Sequence, residues 1–294
     1  MSSNCRVMKR RTVLWAACML CSGSAFAQID LTGSWANKVG HENNLEEHAD
    51  GDYAGTPINE SDRLRGYTWN ASLVTLPEHQ CIPHGMQGID NFTNLHVWQE
   101  TDIESHKLIA YHMNAEWMNP FRTIYMDGRP HPPETAPHTF MGFSTGKFEG
   151  DVLTVTTTHL KESWLKRNGL ETSDKTTIHE HFIRHGNYLE RVIVISDPVY
   201  LTEPFIRSST YAYDPTIPPF DPYPCESVEE IVRPDGAVPA NLPGKNPLID
   251  KWADQYGIPH EAAMGGAQTM YPEYRMKLRQ LMKSSPPPAP SAQR

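Results

Sequence analysis

Residues 140–160 read FMGFSTGKFEGDVLTVTTTHL, and residues 176–200 read TTIHEHFIRHGNYLERVIVISDPVY. In the first, Thr154, Thr156 and Thr158 alternate with Leu153, Val155, Thr157 and His159, the period of two of a strand with unlike faces. Gly150-Asp151 between the two alternating runs is a two-residue hairpin signal. That turn fixes a register in which Phe148 faces Leu153, Gly146 faces Val155, Ser144 faces Thr157 and Gly142 faces His159. In the second stretch Gly186-Asn187 separates two further strands, Thr176–Arg184 and Tyr188–Ile195. A β-barrel or β-sandwich built around these four strands is the expectation, and a slip of one residue would turn every side chain to the other face.

The same stretch holds the densest group of metal-ligand types. His179 and His181 lie two apart and so project to one side of their strand, and His159 comes from a neighbouring strand. Three such imidazoles suit Zn, Cu or Fe and leave an open position for a water of lowered pKa. Glu180 then points to the opposite face. The competing reading is that these histidines line a polar barrel interior or face solvent.

Outward from this centre, the N-terminus has Lys9-Arg10-Arg11, an apolar run from Thr12 to Leu20, and Ala25-Phe26-Ala27. This is the pattern of a Sec-type signal peptide cut before Gln28, which implies a periplasmic or secreted protein with no membrane insertion after cleavage. The full chain of 294 residues carries 26 basic and 35 acidic residues, a net −9. Loss of residues 1–27 would leave 22 basic against 35 acidic, a net −13, which argues against nucleic acid as a partner. Cleavage would also leave Cys81 and Cys225 as the two cysteines. In an oxidising compartment they pair as a disulfide; the alternative is Cys81 as a thiolate ligand beside His79 and His84.

Gly33-Ser34-Trp35 opens the expected barrel, and in lipocalin-like barrels such a Gly-x-Trp on the first strand packs its indole across the closed end. Asn94–Trp98, Lys107–Met113, Phe121–Met126 and Phe205–Tyr213 supply more short alternating strands, and Asp127-Gly128 ends the third. Residues 40–66 read as a long loop or short irregular helices. Asn246-Pro247 and Gly257 bracket one C-terminal helix, and Tyr271–Met282 is a second. The fold class expected is therefore all-β, a lipocalin-like antiparallel barrel with short C-terminal helices. It divides into a signal peptide (1–27), a barrel (28–225), a wrap with helices (226–283) and a disordered tail (284–294).

Two further groups could carry chemistry. Arg122, Asp127 and Arg129, with His131 and His138 nearby, form a candidate anion-binding or acid–base cluster at a barrel mouth, with Arg122, Asp127 and His138 as its catalytic candidates; the alternative is an Asp127 turn flanked by arginines that pair with an acidic surface. Tyr111, Trp117 and Tyr125, with nearby methionines, suggest an apolar aromatic lining, to which Ser144 adds a hydroxyl. Gly142-Phe143-Ser144-Thr145-Gly146 matches the G-x-S-x-G pattern of a nucleophile elbow, but that motif needs a strand–turn–helix setting and a hairpin follows here.

RTIYMDGRPHPP (122–133) followed by the hairpin at 140–160 resembles a family of secreted bacterial proteins from proteobacteria and acidobacteria. There a DGRP-type segment precedes a GxSxGxWEGDTLVVxT hairpin and an ERF strand. The likeness runs from about Gln80 to Cys225. It departs at Phe148 for the usual Trp, at His159, and at His179–Phe182. The resemblance implies a secreted lipocalin-like barrel and no particular reaction. Three functions follow from these readings. The first is an exported enzyme, a hydrolase or lyase, acting on a small hydrophobic or aromatic molecule by metal-bound water or His acid–base chemistry. The second is a non-catalytic binding protein for such a ligand. The third is an envelope-associated interaction module using the proline-rich C-terminal half.

Overall fold

The structure is a computed structural model and describes residues 29–38, 49–70, 76–88, 93–116, 118–221, 224–228 and 234–284. The expected signal peptide, Trp117 and the C-terminal tail lie outside the described residues.

Nine strands close a barrel. In chain order they are β1 (Gly33–Lys38), β2 (Leu95–Thr101), β3 (Leu108–Ala115), β4 (Phe121–Tyr125), β5 (Phe143–Glu149), β6 (Val152–Thr158), β9 (Thr177–His185), β10 (Tyr188–Ser196) and β11 (Phe205–Tyr213). Around the barrel they run β1-β11-β10-β9-β6-β5-β4-β3-β2 and back to β1. A separate two-stranded hairpin, β7 (Ser163–Lys166) with β8 (Leu170–Thr172), fills the connection between β6 and β9 that reads as a polar crossover in sequence. The all-β barrel expectation holds, and the β5–β6 ladder has the register its turn dictates: Phe148 opposite Leu153, Gly146 opposite Val155, Ser144 opposite Thr157.

Two details differ from the sequence expectation. First, β4 and β5 are parallel, paired only as Ile124 with Ser144 and Tyr125 with Thr145. Prolines at 130, 132 and 133 forbid a tight return after the Asp127-Gly128 turn, so the chain runs back along the barrel wall before re-entering. Second, the β5–β6 ladder ends at Phe143 opposite Thr158, one step short of Gly142 and His159. Gly142 has φ +63°, and a Cβ there would lie 2.5 Å from the Thr158 carbonyl oxygen. The glycine is needed for backbone approach, and it does not open space for His159.

Inside the barrel, alternate residues form the core. Leu153 and Val155 of β6, Ile178 and Phe182 of β9, and Leu189, Ile193 and Ile195 of β10 are fully buried with Trp35, Ile124 and Tyr211. Trp35 plugs one end: its indole N–H donates to the Leu31 carbonyl (2.9 Å), Tyr213 meets it edge-on, and the Arg184 guanidinium lies 5.1 Å above its ring. Arg184 in turn donates to the Asp30 carbonyl.

Outside the barrel, helix α1 (Glu60–Thr68) is capped by Asn59, whose side chain accepts from the N–H groups of Ser61 and Asp62. Three C-terminal helices follow: α2 (Lys251–Tyr256), stopped by Gly257 in the left-handed region, α3 (His260–Ala263) and α4 (Tyr274–Ser284). Helix α3 and the 3₁₀ turn after it (Gly266–Met270) dock on residues 53–55 through Tyr53 N–H to Ala263 O and Gly55 N–H to Gly266 O, each 3.0 Å. Cys81 and Cys225 form a disulfide, Cα–Cα 5.8 Å, which removes Cys81 from any metal-ligand role. No helix among the described residues is long and apolar enough to cross a membrane.

Candidate functional site

Charged side chains meet inside the barrel. Glu180 on β9, Arg122 on β4 and Arg191 on β10 all point inward and are at most 2 % exposed. Arg122 Nη1 donates to Glu180 Oε1 (3.1 Å), its Nη2 to Oε2, and Arg191 Nε donates to Oε1 (2.7 Å). Arg122 also donates from Nε to Ser144 Oγ (3.0 Å) and from Nη2 to Thr157 Oγ1 (2.8 Å), and the two hydroxyls bond one another at 2.9 Å. Burial pushes the Glu180 carboxyl up, but the two guanidiniums outweigh it and hold the group below the usual carboxylate range. Arg122 and Ser144 are thus drawn together as parts of a structural network, and Ser144 is spent on it.

The histidines that looked like a metal tripod face outward. His179 and His181 stand opposite Thr156 and Thr154 on β6, and each ring's Nδ1 bonds the facing hydroxyl at 3.1 and 3.3 Å. His159 sits past the end of β6, its Nε2 donating to the Pro133 carbonyl (2.9 Å). Among the described residues no group of three or more His, Cys, Asp or Glu is placed to hold a metal ion. The physical reason is the alternation itself. Ile178 and Phe182 share a face with Glu180, and the apolar face is the interior, so His179 and His181 are turned to the outside. His179 and His181 therefore stand on the outer wall and are not grouped with His159 as the expected Zn, Cu or Fe site requires.

The remaining expected site residues are spread over separate places. Asp127 lies in the exposed turn after β4 and pairs with Arg129 at 2.6 Å, whose guanidinium stacks 3.8 Å from the Tyr125 ring centre. That pairing holds the Asp127 carboxyl below its ordinary range. Tyr111 is buried at one end of the barrel beside a cavity of about 500 Å³, with its hydroxyl 3.4 Å from the Ile29 carbonyl. Arg122, Asp127 and His138 are therefore in three environments and do not form one acid–base cluster.

Two neighbouring hollows lie on either side of the chain at Thr139. The larger, about 530 Å³, sits where β4 and β5 diverge and is walled by Met118, Phe121, Tyr125, Phe140, Met141 and Phe143, with Pro83 and Pro120. Tyr125 and Phe143 stack at 5.2 Å and 30°. The ladder parity explains the gap. Met126 N–H donates to the Ile109 carbonyl, so the peptide groups of Phe121 and Thr123 are directed away from β3, towards the side where pairing with β5 has stopped. Arg122 borders the cleft, but four of its five N–H groups serve the interior network.

The smaller hollow, about 290 Å³, is lined by His131, His138, His159, Glu134, Asp174 and Lys175. His138 Nδ1 donates to the Leu160 carbonyl (2.8 Å), so in the neutral ring Nε2 carries the lone pair. The His138 and His159 rings are 5.3 Å apart. His159 has φ +58°, an uncommon conformation for a residue with a side chain. His131 bridges Thr158 and Thr145 at 2.7 and 2.8 Å, and burial, with the nearby His159, lowers its pKa. Thr139, bridged to Leu160, lies in the strip of chain between the two hollows and lines the larger one.

Glu180 and Arg191 are the residues that sequence reading missed. Their signal was present, since each shares its strand face with buried aliphatic side chains. No family model, curated protein or solved structure matches the chain. What the fold defines is a closed nine-stranded barrel, an architecture capable of enclosing a small ligand.

Proposed function

We propose that the protein binds a small apolar or aromatic molecule in the cleft between β4 and β5. One observation carries this: the cleft of about 530 Å³ is walled by four aromatic rings and two methionines, and the one charged residue among its described lining, Arg122, is engaged inside the barrel. A cavity of this size suits a drug-sized molecule, and aromatic and thioether walls favour a flat apolar one. The methyl signals of Met118 and Met141 test it: a titration with naphthalene or indole derivatives shifts them if the cleft is the site.

A second reading adds turnover by histidine acid–base chemistry, and a specific observation favours it. The His138 tautomer is fixed by a backbone carbonyl, leaving Nε2 as an available base next to the cleft. On this reading His138→Gln abolishes turnover and leaves ligand affinity unchanged. Export as a periplasmic or secreted protein belongs to the same proposal, supported by the signal-like N-terminus and the disulfide; a mature chain beginning at Gln28 is its test. So does kinship with the secreted bacterial family whose DGRP segment and hairpin it resembles.

A further inference from the structure

The outer face of β2, β3 and β4 carries four rings in mutual contact. His96 and Trp98 lie 5.6 Å apart, Trp98 is 5.5 Å from His112 and 5.8 Å from Phe121, and His112 stacks on Phe121 at 5.5 Å and 22°. Strand pairing sets this up by placing Trp98 opposite His112, and His112 opposite Thr123 next to Phe121. Trp98 is 36 % exposed and Phe121 52 %. A contiguous exposed aromatic patch on a barrel wall is unusual without a ligand to cover it.

Its polar edge is ordered and points to a kind of partner. Ser34 donates its hydroxyl hydrogen to the Ile217 carbonyl, so His96 Nδ1–H donates to Ser34 Oγ (3.0 Å) and, in the neutral ring, Nε2 is left as an acceptor. His112 Nε2–H donates to Glu100 (2.9 Å), while its Nδ1 contacts the Thr123 hydroxyl (3.1 Å). Glu100 is half exposed, with carboxylate lone pairs to spare. Trp98 and Phe121 therefore offer partly exposed apolar ring surface bordered by acceptors. A sugar ring has the complementary pattern, with C–H groups on its face and hydroxyl donors at its rim. A lipid surface would leave Glu100 and His96 without partners, and the net charge of −9 repels nucleic acid.

We propose that the Trp98–His112–Phe121 face is a carbohydrate-binding platform, in which a sugar ring of a glycan stacks on Trp98 and Phe121 and hydrogen-bonds at Glu100 and His96. Phe121 borders both this face and the cleft between β4 and β5, whereas Trp98 belongs to the platform alone. The two sites can thus be tested separately.

The experiment is affinity electrophoresis of the full chain in gels containing hydroxyethylcellulose or laminarin, with parallel co-sedimentation on insoluble chitin and on peptidoglycan. The expected result is retention by at least one of the four, weakened at least tenfold by Trp98→Ala and weakened also by Glu100→Ala. Trp98→Phe, which keeps a ring face, retains most of the binding. A thermal melt confirms that the variants are folded, and Glu100→Ala carries the test if Trp98→Ala is not. No retention on any of the four, or retention unchanged in the folded variants, overturns the proposal. Either failure leaves the cleft reading untouched, because that is read at Met118 and Met141.

Discussion

Glu180 and Arg191 meet diagonally across adjacent strands inside the barrel, Oε1 to Nε at 2.7 Å, with Glu180 opposite Ile193 and Arg191 opposite Phe182. Arg122 closes on the same carboxylate from β4. The pair is held in a wall of Leu, Ile and Phe, where an unpartnered charge is costly. Removing the carboxylate leaves both guanidiniums without it. Glu180→Ala is expected to lose about 3–5 kcal/mol, read as a lower urea midpoint. Replacing Arg122, Glu180 and Arg191 together by Met, Leu and Leu is expected to cost less than Glu180→Ala alone. A loss under about 1 kcal/mol for Glu180→Ala, within the range of an exposed pair, would contradict the structural role given to the network.

Asp62 makes the stability depend on pH. It is fully buried in the first turn of α1; Oδ1 accepts from the Glu171 N–H, while Oδ2 has no hydrogen-bond partner among the described residues. Burial, opposed by Arg65 and reinforced by Asp197, raises its pKa from 3.8 to about 8. Between those values the folded chain holds a proton that the unfolded chain has released, so this group's contribution to stability falls as pH rises through that window and levels off above it. Asp62→Asn removes the term. The variant is expected to be more stable than the parent at pH ~8.5, with the gap closing towards pH ~4. A gap independent of pH would show that Asp62 is ionised in the fold.

The disulfide ties the 3₁₀ turn at Pro77–Gln80 to the chain 144 residues further on. Closing so long a loop restricts the unfolded chain, and Cys81→Ser is expected to lower stability by about 2–5 kcal/mol. Cys225→Ser should match it, and the double variant should cost no more than either single one. Additive losses would show that the cysteines contribute separately.

Gly142 makes the cleft geometry testable at one atom. Its φ of +63° and the 2.5 Å approach of a would-be Cβ to the Thr158 carbonyl both oppose any side chain. Gly142→Ala is expected to cost about 1–3 kcal/mol and to weaken binding in the cleft, because Met141 and Phe143 flank it. Gly128, where a Cβ meets nothing within 4 Å, is the control: it shares a positive φ of +77° without the clash, so Gly128→Ala should cost less.

The hairpin at 143–158 was legible because alternation and turn chemistry specify the same register. The histidines misled because an i, i+2 pair shows only that two side chains share a face. The identity of that face had to be read from Ile178 and Phe182, each adjacent to one of the histidines. Arg122 stood out as a charge in a strand, yet its partners Ser144, Thr157 and Glu180 come from β5, β6 and β9, 22, 35 and 58 positions along the chain, beyond any local pattern. The parallel β4–β5 junction was hinted at by the prolines of 130–133, which block a hairpin. The cleft it leaves follows from how few residues the two strands share, and no local pattern in the sequence encodes that.

The central claim is that the cleft between β4 and β5 is a ligand site. Methyl NMR with carbon-13 methionine tests it, because Met118 and Met141 line the cleft and Met270 lines a separate cavity with Phe205 and Arg207. Titration with 2-naphthol or indole should shift the Met118 and Met141 signals saturably and leave Met270 in place, with the response lost in Phe143→Ala. Shifts confined to Met270, or no saturable shift at any methionine with these ligands, would contradict the account.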